Sequence, residues 1–139
     1  MNEDSLAINE RPFVDIVLPN YNSEKFIAET INSIINQTYK NWKLYVIDDN
    51  SNDTSKEILK IFENKINIFP IFLNKNMGVA FCRNLGIRIS KSKYVSFIDH
   101  DDIWSKTKLE EQIDFMEKHN HQFTYTNYTP FVEKNGNKK

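Results

Sequence analysis

Residues 13–18, Phe-Val-Asp-Ile-Val-Leu, form a short and nearly continuous apolar run, and the rest of the chain repeats that theme between segments of helical period. Such a run suits a strand buried on both faces, the condition met in a parallel sheet. Residues 42–47, 66–73 and 94–98 read as further strands, and Pro70 places the third at an edge or a bulge. Between them, Phe26, Ile27, Ile31, Ile34 and Ile35 recur at helical spacing within residues 24–37, after a Pro19-Asn-Tyr-Asn-Ser23 turn. Asn22 or Ser23 can cap that helix. Ile58, Leu59, Ile61 and Phe62 make a second amphipathic stretch. Val79, Cys82, Gly86 and Ile89 share one face of a third, and Leu109, Ile113 and Met116 form the stripe of a fourth.

Thr54 with Glu57, and Thr107 with Glu110, have capping-box spacing at two of these starts. Gly86 in mid-helix costs about 1 kcal/mol, which predicts that it permits close packing on the sheet. Residues 122–128 alternate like a last strand. The order is βαβαβαβ, an acidic loop, then αβ. It predicts an α/β fold, a mainly parallel, doubly wound sheet in three αβα layers. Residues 1–12 read as a flexible arm, 13–130 as one domain and 131–139 as a polar tail.

In a doubly wound sheet, ligands bind at the carboxyl ends of the strands near the switch in strand order. Here those ends are residues 19–23, 48–53, 74–78 and 99–102, all polar, two of them with paired carboxylates. The sharpest is Tyr94-Val-Ser-Phe-Ile-Asp-His-Asp-Asp-Ile-Trp104, which delivers Asp99, Asp101 and Asp102 within four residues. Like charges this close repel and raise one another's pKa unless a cation sits among them. Oxygen-only ligands suit a hard divalent cation, Mg²⁺ or Mn²⁺, which in turn holds phosphate. The plainer reading is an acidic loop in which Asp99 or Asp102 caps a turn.

Other classes are excluded more directly. Net charge is −1, with 18 basic and 19 acidic residues, so no basic surplus points to nucleic acid. The single cysteine, Cys82, rules out an internal disulfide and a Cys-rich metal site. Met1 is followed by Asn-Glu-Asp-Ser, so no signal peptide is expected, and no apolar run approaches a membrane span. There is no Gly-x-Gly-x-x-Gly, no P-loop and no Gly-x-Ser-x-Gly elbow. His100, His119 and His121 do not make a metal set; His100 reads as a spacer between two aspartates.

The chain resembles the nucleotide-sugar-binding half of family 2 glycosyltransferases, which have the GT-A fold. The resemblance rests on an ordered series: Val17-Leu-Pro-Asn-Tyr-Asn22, Ser33-Ile-Ile-Asn-Gln-Thr-Tyr39, Val46-Ile-Asp-Asp-Asn-Ser-Asn-Asp-Thr54, Asn76-Met-Gly-Val-Ala-Phe-Cys-Arg-Asn-Leu-Gly86, the acidic stretch 94–104, and Lys108-Leu-Glu-Glu-Gln112. It implies that Pro19 and Tyr21 line a nucleobase pocket, that Asp49 accepts a hydrogen bond from the base while Asp48 is structural, and that Arg83 approaches the base or diphosphate. It further implies that Asp99 contacts the ribose and that Asp101 is the ligand of Mn²⁺ or Mg²⁺, with Asp102 supporting it. Plainer roles stand beside these: a turn and core aromatic for Pro19 and Tyr21, a helix cap for Asp49, a surface arginine for Arg83, packing for Trp104.

The implied chemistry is transfer of a sugar, with inversion, from a nucleoside-diphosphate donor such as a UDP-sugar to a hydroxyl of a glycan or lipid-linked acceptor. The implied setting is bacterial surface polysaccharide or lipopolysaccharide assembly, in the cytoplasm or peripherally on the inner face of the cytoplasmic membrane. Family members continue past the point where this chain stops, and their later half carries the acceptor site and general base. The expectation is therefore a truncated donor-binding half with no base to name. Two alternatives stay open: a non-catalytic nucleotide-binding module, and a phosphatase of the haloacid dehalogenase type. The latter carries its Asp-X-Asp on the first strand, not the fourth.

Overall fold

The structure, a computed structural model, describes residues 11–134 and 137–138. Most of the expected N-terminal arm lies outside the described residues. Four strands, β1 Val14–Asn20, β2 Trp42–Asp48, β3 Ile68–Phe72 and β4 Tyr94–Phe97, form one sheet in the order β3-β2-β1-β4. Every pairing in it is parallel, with Val14 beside both Trp42 and Tyr94, and Leu44 beside Ile68. The helices are α1 Ile27–Ile35, α2 Ser55–Phe62, α3 Val79–Ile89 and α4 Lys108–His119.

The strand pleat sorts the core. Val14, Ile16 and Leu18 point to one face, where they pack with Ile27, Ile31 and Ile34 of α1, Leu59 of α2 and Leu109 and Ile113 of α4. Val17 and Ile47 point to the other, where Cys82 and Leu85 of α3 cover them. The chain thus winds outward through α1 and α2 on one face, then crosses back through α3 on the opposite face to place β4 on the far side of β1. The switch in strand order lies between β1 and β4.

Gly86 sits where α3 meets that sheet face: a Cβ there would lie 2.3 Å from Cγ1 of Val17. The sheet is an α/β Rossmann-like core, as the alternation of apolar runs predicts, and Pro70 lies on its edge strand β3.

Several boundaries differ from the sequence expectation. β1 runs through Pro19 and Asn20, which were expected in the turn. The reason is local: β4 pairs only with residues 14–17, so at Pro19 that side of β1 is already open and no ladder donor is lost there. Neither capping box forms. Thr54 donates to Glu24 instead (Oγ1 to Oε2, 2.8 Å), and Thr107 donates to Glu111 (2.5 Å).

Residues 122–128 do not form a strand; Phe123, Tyr125 and Tyr128 are more than three-quarters exposed. Alternation alone does not make a strand without an edge to pair with, and this segment pairs with none of the described strands. In the expected tail, β5 Glu133–Lys134 and β6 Asn137–Lys138 form a short antiparallel pair. No helix among the described residues is long and apolar enough to cross a membrane.

Candidate donor-binding site

At the carboxyl ends of β1 and β4, on either side of the switch point, lies a cleft of about 310 Å³. It is lined by Pro19, Asn20, Tyr21, Asp49, Val79, Cys82, Arg83, Asp99, His100 and Asp101. Six of the seven expected site residues therefore meet in one place, although they span more than eighty positions of sequence. Asp102 does not line this cleft. It lies with Asp101 on the wall of a wider, open hollow of about 1710 Å³ bordered by Phe97, Trp104, Lys108 and residues 123–132. The hollow is the larger space, but the polar groups converge on the smaller cleft, with Asp101 on the boundary of both.

Each wall has a local cause. Asp48 and Asp49 end β2 with opposite duties. Asp48, fully buried, accepts from Nδ2 of Asn20 (2.8 Å), from the backbone N–H of Ser51 (3.0 Å) and from its hydroxyl (2.6 Å), so it ties the loops after β1 and β2 together. Asp49 accepts the backbone N–H groups of Met77 (2.7 Å) and Gly78 (2.8 Å), one on each carboxylate oxygen. It therefore sets the start of α3 rather than capping α2. Gly78 has φ +89, a backbone conformation that side chains resist, so the turn into α3 needs glycine there.

Tyr21 is 43% exposed and lines the cleft. The thiol of Cys82 is pushed up to about 11 by burial and by the Asp49 carboxylate, so it contributes shape and not a nucleophile.

Arg83, on α3, donates from Nη2 to Oδ1 of Asp99 at 2.6 Å and so joins the two flanks of the cleft. Asp102 is exposed as a residue, yet partial desolvation of its carboxyl, followed by the charges of Asp99 and Asp101, raises its pKa. Nδ1 of His100 is buried with no hydrogen-bond partner among the described residues.

The residues that aim the acidic segment escape a reading of the sequence for chemistry. Thr30, Ser33 and Gln37 form a polar line along α1 and its end. Thr30 donates to the carbonyl of His100 (2.8 Å), and Ser33 Oγ accepts the N–H of Trp104 (3.2 Å). Gln37, fully buried, donates to the carbonyl of Ser105 (2.7 Å) and accepts the N–H of Leu109 (3.0 Å). Their spacing of three and four residues, which puts them on one side of the helix, was the available signal.

Asp15, also fully buried, accepts from the N–H groups of Lys91 (2.7 Å) and Ser92 (3.0 Å), and so anchors the turn into β4. A charged residue inside a central apolar run was its signal.

A doubly wound parallel sheet with an acidic cleft at its switch point defines an α/β Rossmann-like domain of the GT-A kind. The chain belongs to the glycosyl transferase family 2, whose model matches residues 15–139. TuaG of Bacillus subtilis, provisionally assigned as a teichuronic acid biosynthesis glycosyltransferase, is 36% identical over 123 residues, covering 87% of this chain and 48% of the relative. WfgD of Escherichia coli, a UDP-Glc:alpha-D-GlcNAc-diphosphoundecaprenol beta-1,3-glucosyltransferase, is 39% identical over 116 residues, covering 83% of this chain and 45% of the relative. The structure of Staphylococcus aureus TarS 1-349 in complex with UDP superposes with a TM-score of 0.72 at 31% identity, over 78% of this chain and 33% of that one. The chain spans about half the length of TuaG and of WfgD.

Proposed function

We propose that the cleft binds a nucleoside-diphosphate sugar, with uridine as the base, and that the chain supplies the donor half of an inverting sugar transfer. The observation that carries this reading is the convergence of Pro19, Tyr21, Asp49, Arg83, Asp99 and Asp101 on one cleft at the switch point. Two relatives support it: TarS has been solved with UDP, and WfgD uses UDP-Glc. In this reading the base lies against Tyr21 and Pro19, and Asp49 accepts its N–H. Asp99 receives the ribose hydroxyls, and Arg83 faces the diphosphate. A guanidinium matches phosphate oxygens in both charge and donor geometry.

Among the described residues, no group of three His, Cys, Asp or Glu side chains surrounds a metal position. The donor set nevertheless fits Mn²⁺ or Mg²⁺, which commonly take one or two carboxylates and complete their shell with substrate phosphate and water. Asp101 would hold the ion, and Asp102, whose pKa is raised by desolvation and then by the charges of Asp99 and Asp101, would support it. When bound, the metal supplies electrostatic stabilisation of the charge that develops on the departing diphosphate. Asp101 borders both the cleft and the wide hollow, so the acceptor hydroxyl approaches from the hollow. By analogy with the relatives' stated reactions, the setting is bacterial surface-glycan assembly on a lipid-linked acceptor, with the chain at the inner membrane face.

Calorimetric titration of UDP into the purified chain, with and without Mn²⁺, tests the reading, with GDP and ADP as controls. Metal-dependent UDP binding that Asp101→Ala abolishes is expected. A folded chain that binds none of the three nucleotides would sink it.

A further inference from the structure

We infer that the Arg83–Asp99 ion pair is a specificity lock, in which each partner fills the other's ligand-binding position until one ligand replaces both contacts at once. The ligand class, a nucleoside diphosphate with a free ribose diol, rests on the nucleotide reading above; the exchange at the pair does not.

Arg83 comes from α3 and Asp99 from the end of β4, and both line the cleft. Their 2.6 Å contact is solvent-accessible, the side chains being 41% and 53% exposed. An exposed pair of this kind contributes little to stability, about 0–1 kcal/mol. Other contacts already fix the same elements: Val17 against Gly86 beneath α3, Asp49 at the start of α3, and Thr30 on the carbonyl of His100. The pair is therefore cheap to open and is not needed to hold the fold.

Its chemistry lies in what occupies what. The Asp99 carboxylate sits at the guanidinium where a phosphate oxyanion would sit, and Arg83 occupies the carboxylate that a diol would otherwise engage. A ligand with phosphate but no diol must displace Asp99 and leave it unpaired beside Asp101 and Asp102. A ligand with a diol but no phosphate leaves Arg83 without an anion. A nucleoside diphosphate replaces both contacts, so the cleft selects it over free pyrophosphate and over the nucleoside by penalising partial matches.

Pyrophosphate titrated into the full chain in metal-free buffer reads the exchange directly. Asp99→Asn should tighten pyrophosphate binding about fivefold, the release of the pair's upper worth, while weakening UDP. The double variant Arg83→Gln/Asp99→Asn should lose the gain. Asp102→Asn removes the same charge from the same segment and should give a distinctly smaller gain. The lock is overturned if Asp99→Asn binds pyrophosphate no tighter than the parent, if Asp102→Asn matches its gain, or if the gain survives in the double variant. Failure of the parent chain to bind UDP counts against the nucleotide reading alone, because the pyrophosphate comparison contains no nucleoside.

Discussion

The side-chain carbonyl of Gln37 accepts the backbone N–H of Leu109 at 3.0 Å, across seventy-two residues of sequence. This contact satisfies one of the otherwise free amides in the first turn of α4. The amide nitrogen of Gln37 holds the carbonyl of Ser105 at the same time. Gln37 thereby fixes the exit of the segment that carries Asp99, Asp101 and Asp102. Gln37→Ala leaves buried polar groups unpaired and should cost about 1–3 kcal/mol in urea denaturation. It should also weaken Mn²⁺-dependent UDP binding, although Gln37 does not line the cleft. Unchanged stability would show that solvent satisfies these groups as well as Gln37 does.

Gly86→Ala places a methyl group 2.3 Å from Cγ1 of Val17, a branched side chain in the central strand. Overpacking of this kind costs about 1–3 kcal/mol and outweighs the gain in helix propensity. The Val17→Ala variant makes room, so the double variant should be more stable than the two separate losses predict. Thermal unfolding of all four proteins reads this coupling, and strict additivity would mean that α3 shifts away from the sheet.

Lys108 opens α4 half-buried, with Nζ 3.7 Å from the centre of the Trp104 ring and 3.3 Å from the hydroxyl of Ser96. Burial pulls its pKa down from 10.5 to about 8. Between those values the unfolded chain binds the proton that the folded chain has released, so this group makes stability rise with pH across that window. Below about 8 both states are charged and the full desolvation cost applies. The Trp104 ring offsets part of it. Lys108→Met should therefore stabilise the protein at pH 7 by about 1 kcal/mol. It should also flatten the rise between pH 8 and 10.5, measured by urea midpoints at several pH values. A loss of stability at pH 7 would mean that the ring and hydroxyl contacts outweigh desolvation.

Asp102→Asn keeps the size of the side chain and removes its charge. In the proposed reading Asp102 supports the metal ligand Asp101, so it should matter less than Asp101, with Mn²⁺ affinity in the presence of UDP falling about tenfold. Electron paramagnetic resonance titration of free Mn²⁺ measures this, and an effect equal to that of Asp101→Ala would make Asp102 a direct ligand.

Phe123→Ser and Tyr125→Ser replace aromatic rings that are 80% and 83% exposed. Each should change unfolding free energy by less than about 0.5 kcal/mol. Ile113→Ala in the core should cost about 2–5 kcal/mol. A loss near the core value at either aromatic would show that residues 122–128 pair as a strand in solution.

What was written locally in the chain could be read from it. The apolar run at 13–18, the helical spacing of Ile27, Ile31 and Ile34, and the abrupt change from Phe97-Ile98 to three aspartates depend on neighbours in sequence. They determined the alternation of strands and helices, the parallel class of the sheet and the segment where carboxylates collect. Gly86 was legible for the same reason, since a helix interior gives glycine no other advantage.

Tertiary structure decided what depends on pairing across the chain. Asp49 takes up the start of α3, Thr30, Ser33 and Gln37 hold the acidic segment, and Arg83 meets Asp99, because the crossover through α3 carries β4 back beside β1. Residues 122–128 have the alternation of a strand but join none of the described strands, for a ladder needs a partner edge at the right distance and register. Period and composition are properties of a segment. A hydrogen-bonded partner is a property of the whole fold.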